Sequence, residues 1–363
     1  SPPKGYVART ILPTSGHDPN IGRIQGDQRE HDEGDKLWKV YEPRWPKSAD
    51  GQWYWKSDTS SDELDGHYFF YAQYFDLVCE TDAERARVRR QVQALTDHIV
   101  DHGFNLVDHD GKPTRWGRYA PEEFNFDKNW FPERGLNSLS MLSYLVTTHH
   151  ITGDDRYQKI ARELVEKHGY AQNLMYPKFQ RGVGTGNQSD DEMAFMSYYN
   201  LIKYETDAEL RSRYATSWWH YWRLEQPELS PFFNFAFAGQ CIGAQFEDAF
   251  GVHNVGPRGD WLEESVDMLK RFTLDRFDWR HVNSHRIDLM QLPEWGGAFD
   301  HPIGNQRALR VNGRVLPVDE RFFDHWNTDP FHLDTGGEGR SLSDGTVFLL
   351  PYYMGLYHGC ITQ

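Results

Sequence analysis

The sequence has little cysteine, no long apolar run and no surplus of basic charge. Its three cysteines, Cys79, Cys241 and Cys360, are odd in number and far apart, which argues against a disulfide framework and against metal-ligand spacing. Two of them fall in apolar helical patterns, where cysteine serves as a small buried hydrophobe. No stretch approaches the roughly 20 apolar residues that span a bilayer, and no basic-then-apolar leader opens the chain, so it reads as soluble as given. A removed leader would make it secreted or periplasmic; a start trimmed at Ser1 would leave the cytoplasm open. With 54 acidic against 39 basic residues the net charge is -15, which argues against a nucleic-acid backbone or an anionic membrane as the main partner. A Gly-Lys-Ser/Thr phosphate loop and a Gly-x-Ser-x-Gly nucleophile elbow are also missing. Seventeen histidines show no helical ligand spacing, and His149 and His150 are adjacent and so diverge. No metal and no cofactor are expected.

Aromatic residues are what the chain has in abundance. Trp, Tyr and Phe make 15% of it, and rings both fill a wide core and offer flat faces to sugars. From about residue 66 apolar residues recur at helical spacing, in segments that alternate in character. Gly66–Val78 is almost wholly apolar and Ala83–Asp101 is amphipathic; Gly135–His149 and Asp154–His168 repeat the pair. Ala194–Tyr204 is followed by Ala208–Leu224, Pro231–Phe250 by Trp261–Leu274, and Gly345–Cys360 closes the chain as a further apolar segment. A direct echo supports a repeat: Ser61–Glu84 and Asp190–Glu209 both open on Asp-Glu, run through aromatics and end on Glu-Thr-Asp-Ala-Glu. Helical hairpins of this kind bury their apolar faces only by stacking on one another.

The apolar helix, the short turn with Thr152-Gly-Asp-Asp-Arg-Tyr157 and the amphipathic helix after it resemble the (α/α) toroid shared by many carbohydrate-active enzymes. The resemblance runs from about residue 60 to the end and is one of architecture. It implies an all-α (α/α)6-type toroid over 58–363, with 1–57, rich in Gly, Pro, Asp and Trp, as an irregular arm that carries at most a short helix. In such a toroid the connections 103–133, 169–190, 226–230 and 276–344 share one end, and long loops on one face of a rigid scaffold are where binding and chemistry usually sit. Helix amino termini on that face favour anionic groups, and with Arg115, Arg118, Arg134, Arg181 and Arg340 nearby an acidic sugar such as a uronate is a natural ligand.

Four constellations could carry chemistry. Asp58-Thr-Ser-Ser-Asp62-Glu63-Leu-Asp65-Gly-His67 offers several carboxylates where an apolar helix begins, although Ser60-x-x-Glu63 also spells a capping box. Ser189-Asp190-Asp191-Glu192 opens the second copy of the repeat with the same ambiguity. Around 108–137, His109, Arg115, Trp116, Arg134 and Asn137 could clasp a sugar, the alternative being a tight turn plugged by the tryptophan. Between 325 and 340, Trp326 is a candidate platform, Asp334 and Glu338 candidate acids or bases, Arg340 a candidate carboxylate partner, and Gly336, Gly337 and Gly339 would let backbone approach a ligand. The leading expectation is a glycoside hydrolase acting through two carboxylates drawn from Asp62, Glu63, Asp191, Glu192 and Glu338 on a carbohydrate, with uronate-containing glycans fitting well. The alternatives are a polysaccharide lyase with His67, Tyr68 or His109 as base, an epimerase using paired histidines as similar toroids do, and a non-catalytic glycan-binding module.

Overall fold

A computed structural model describes residues 4–178, 182–184, 188–292, 306–323, 326 and 328–362, with the backbone of a short strand pair at 295–296 and 301–302. It is broadly helical. Among the described residues the α-helices are α1 (Arg23–Arg29), α2 (Ser61–Leu77), α3 (Asp82–Asp101), α4 (Pro121–Phe126), α5 (Arg134–Thr152) and α6 (Asp155–His168). They continue with α7 (Tyr170–Asn173), α8 (Ser189–Tyr204), α9 (Ala208–Glu225), α10 (Pro231–Cys241), α11 (Trp261–Arg271) and α12 (Thr346–Tyr357). Described strands form only two-stranded antiparallel pairs. The chain divides into two compact units, Ser1–Phe131 with Tyr144–His168, and Pro132–Ser143 with Gly169–Gln363, so that α5 contributes to each.

In the first unit α2 carries aromatic and small residues on the faces it buries, and Tyr68 stacks on Tyr144 of α5 at 4.1 Å. Hydroxyls run between the helices. Tyr68 and Thr96 are 2.7 Å apart, Thr96 and Thr148 likewise, and Tyr144 donates to the buried Asp65 at 2.7 Å. The amphipathic α3 buries Val88, Val92, Leu95 and Ile99. It begins at a complete capping box: Thr81 accepts from the Glu84 amide at 3.2 Å while Glu84 accepts from the Thr81 amide at 3.0 Å. The arm preceding α2 contains α1 and the strand Ile11–Pro13, which pairs with Trp53–Trp55 in register Leu12 to Tyr54.

In the second unit α8 packs on α9 and α10, and α10 packs on α9, α11 and α12. The apolar helices α8, α10 and α12 are thus successive neighbours, with amphipathic α9 and α11 against them. Rings fill the joints: Phe195 stacks on Phe233 at 4.2 Å and Trp222 on Phe237 at 4.9 Å. Gly135, at the start of α5, packs so closely on the Tyr176 carbonyl that a Cβ there would collide with backbone. The helix expected over Pro231–Phe250 stops at Cys241, because Ile242 turns extended and Gly243 takes a φ of 77°, and a hairpin of Gln245–Asp248 with Gly251–Asn254 follows.

Ser60 precedes α2 as Thr81 precedes α3, yet the Ser60 side chain makes no cap hydrogen bond. Thr81→Ala is therefore expected to lower unfolding free energy by about 1 kcal/mol, and Ser60→Ala by much less, in urea titrations of the two variants. Equal losses would mean that Ser60 caps after all.

Candidate functional site

The approach to α2 is pinned by its backbone. Ser57 donates to the Arg44 carbonyl at 3.0 Å, Thr59 donates to Asp108 at 2.9 Å, and the Thr114 hydroxyl donates to the Thr59 carbonyl at 2.8 Å. Asp62 and Glu63 then occupy the first turn of α2. The capping box anticipated at Ser60-x-x-Glu63 does not form. Glu63 turns instead to the arm, where its Oε1 accepts a charge-assisted bond from Arg9 Nε at 2.6 Å, with charge on both partners. The same guanidinium lies 3.5 Å from Asp62 and 3.9 Å from Asp58.

One arginine does not neutralise this many acids. Burial first, and the neighbouring Asp62 second, push the Glu63 carboxyl from 4.5 up to about 7. Asp62 Oδ1 and Glu63 Oε2 are buried, and neither has a hydrogen-bond partner among the described residues. The Glu63 carboxyl, beside Asp62, is therefore partly protonated near neutral pH. One turn further along the same face, His67 is half-buried, stacked on Tyr71 at 5.5 Å, and held below its ordinary pKa by burial. A proton donor and a neutral imidazole thus sit one turn apart on α2.

The other anticipated residues of this unit are engaged in the arm. His109 packs edge-on against Tyr41 and Trp55, at 5.9 and 5.6 Å, and its amide donates to the Ser57 carbonyl. Arg115 is ion-paired to Asp35 and lies 4.3 Å over the Trp116 ring, so guanidinium and indole are stacked on each other.

In the second unit Asp191, which matches Asp62 in the repeat, is fully buried. Lys178 donates to both its oxygens at 2.6 Å and Tyr221 donates to it as well. Burial pulls the Lys178 ammonium down, but the charges of Asp191, Glu225 and Asp190 outweigh it and hold it well above its usual value. Oxygens of Asp191, Glu225 and Glu228 lie within 4.8 Å of one another, a donor set a cation would suit, and Lys178 brings its ammonium to the Asp191 member. Arg321, buried beside Glu228 and Asp329, is pulled down by burial to about 10. We assign Asp191 to this buried ion cluster rather than to substrate. Glu192 is half-buried beside it, Arg134 opens α5, and Asn137 is buried one turn later.

The Gly-rich segment is structural where it is described. Asp334 accepts from the Asn283 and Ser284 amides and the Ser284 hydroxyl, bonds that outweigh a burial penalty and lower its pKa. Gly336, Gly337 and Gly339 lie against Asp278 and Trp279, where a Cβ would collide. Glu338 and Arg340 form a surface ion pair at 3.1 Å, each more than two-thirds exposed. Trp326 is exposed, and Arg181 lies outside the described residues.

Sequence reasoning missed Arg9, Lys56 and Lys178. The first two sit in the aperiodic arm and the third in an aperiodic loop, so no spacing signals them. Glu225 and Glu228, at i and i+3 where α9 ends, carried a faint signal: two acids on one face in apolar surroundings. Comparison with protein-family models, with curated proteins and with solved structures gave no match.

Two outcomes test these assignments. Glu63 titrates at 4.5 when unfolded and about 7 when folded, so its contribution to stability is complete below pH 4.5 and is lost as pH rises through 7. Urea unfolding of Glu63→Gln against the parent, across that window, should show the parent alone losing stability by this route; parallel curves would refute the raised Glu63 pKa. Lys178→Met strands a buried carboxylate and should cost about 3–5 kcal/mol, read as a drop in Tm; an unchanged Tm would remove Lys178 from the cluster.

Proposed function

We propose that the chain is a glycoside hydrolase in which Glu63, beside Asp62, supplies the proton to the leaving glycosidic oxygen. The observation that carries this is the Glu63 carboxyl, raised to about 7 on a partly exposed helix start. A general acid for glycoside cleavage must be protonated at working pH yet strong enough to give the proton up. Glu63 is the acid, and a second carboxylate stands roughly 5–5.5 Å away in retaining enzymes or 6.5–9.5 Å away in inverting ones. We take Asp58, near the same guanidinium, as that second carboxylate. The ladder of α8, α10 and α12 with α9 and α11 beside it is what a closed (α/α) toroid would require of this unit, and we propose that closure for the chain.

A second reading has its own support. His67, kept neutral by burial one turn from Glu63, could abstract the proton beside a uronate carboxylate in a β-elimination, as a polysaccharide lyase requires.

Incubation with uronate-containing and neutral oligosaccharides, following reducing ends and ultraviolet absorbance together, separates the two. For the hydrolase, reducing ends rise without absorbance, and Glu63→Gln lowers turnover by about 100-fold or more while His67→Gln lowers it much less. Rising absorbance that depends on His67 replaces it with the lyase. No turnover of any glycan withdraws both.

A further inference from the structure

We propose that Lys56, with Arg9, forms an anion subsite beside the acid pair that takes the carboxylate or sulfate of an acidic sugar. The inference rests on the carbohydrate-enzyme assignment for what bears the anion; the subsite itself follows from how unequally the cations around Asp58 are held. Three cations converge on one oxygen, with Arg44 3.2 Å, Lys56 3.6 Å and Arg9 3.9 Å from Asp58 Oδ2. They are not equally committed. Arg44 is buried, donates to the Lys39 carbonyl at 2.7 Å, pairs with Asp27 at 3.4 Å and lies over Trp38, so it is a fixed part of the arm. Arg9 is held by Glu63 on one edge of its fork.

Lys56 is different. An ammonium carries three donors, and among the described residues its one ionic partner is Asp58, at a distance beyond a normal N–H···O bond of roughly 2.7–3.2 Å. Its side chain is 19% exposed, and that of Arg9 is 32%, so a ligand reaches both while it cannot reach Arg44 at 3%. The hydroxyls of Ser57 and Thr59, each at least nine-tenths buried and flanking Asp58 in the chain, have no partner among the described residues. Ser60 leaves the first amides of α2 uncapped by its side chain. Burial, against the pull of Asp58, and then the like charges of Arg9, Arg44 and Arg23 lower the Lys56 pKa, a cost that a bound anion would relieve.

Arg9 ties the two halves together. The guanidinium that reaches toward Asp58 also holds Asp62 and Glu63, so an anion on Lys56 and Arg9 sits next to the proton donor. A sugar ring that carries its acidic substituent near the scissile linkage meets both at once.

The test is calorimetric titration of the full chain with three tetrasaccharides, a hexuronan, a sulfated galactan and neutral cellotetraose, for the parent, Lys56→Met and Lys56→Arg. The expected result is that at least one acidic probe binds about tenfold or more tighter than the neutral one, the scale of one charge-assisted hydrogen bond. Lys56→Met should abolish that preference and Lys56→Arg should restore it; which acidic probe responds identifies carboxylate or sulfate. Equal binding of the neutral probe, retained preference in Lys56→Met, or no binding by any probe overturns the subsite. Turnover keeps the two proposals apart. Glu63-dependent cleavage of a neutral glycan would keep the hydrolase and remove the subsite; Lys56-dependent binding without Glu63-dependent cleavage would do the reverse.

Discussion

A helix with other helices packed on several sides has no room along its length for an unpaired charge, because burying one costs far more than any single contact returns. In this chain that constraint divides the chemistry by position. Along their buried faces α2 and α5 carry rings and hydroxyls, and the hydroxyls bond to each other from Tyr68 through Thr96 to Thr148. In α8 the acidic side chains lie in the first turn, as Asp62 and Glu63 do in α2, where the helix dipole favours them and a partner can arrive from outside the repeat, while the buried Asp65 accepts from Tyr144. What arrives decides what each helix start becomes.

The two copies of the Asp-Glu opening illustrate this. In the first, the partner is Arg9, a guanidinium whose reach is spread over three carboxylates, and Glu63 keeps a raised pKa together with partial exposure. In the second, Lys178 meets Asp191 with both oxygens and no exposure, and the same motif becomes part of the buried frame. Identical local sequence has two outcomes because the deciding cation comes from a segment with no periodicity.

That is also the boundary of what could be read from residues alone. The alternation of apolar and amphipathic segments located α2, α3, α5, α6, α8, α9, α11 and α12 to within a few residues of their ends, since periodicity reports which faces are buried. It failed past Cys241, where a single left-handed glycine turned an apolar run into a hairpin. The candidate site was legible in part: Asp62, Glu63 and His67 were singled out and lie within two turns of one helix. Ser60-x-x-Glu63 and Thr81-x-x-Glu84 are the same pattern, and only the second is a capping box, because Arg9, 54 positions away, wins the contest for Glu63. Asp334 and Glu338 carried the right chemistry for catalysis, but one is consumed by a turn and the other lies at the surface.

Arg9 reaches α2 from a short arm segment that, just beyond it, pairs as the strand Ile11–Pro13 with Trp53–Trp55. The Glu63 carboxyl, raised by burial and by Asp62, is accordingly pulled back down by a cation from outside the helical repeat. A substitution that removes the charge at position 9 is expected to raise the Glu63 pKa further without altering a residue of α2. Because a raised folded-state pKa is also a pH-dependent contribution to stability, the protonation of Glu63 and the stability of the fold change together at that position.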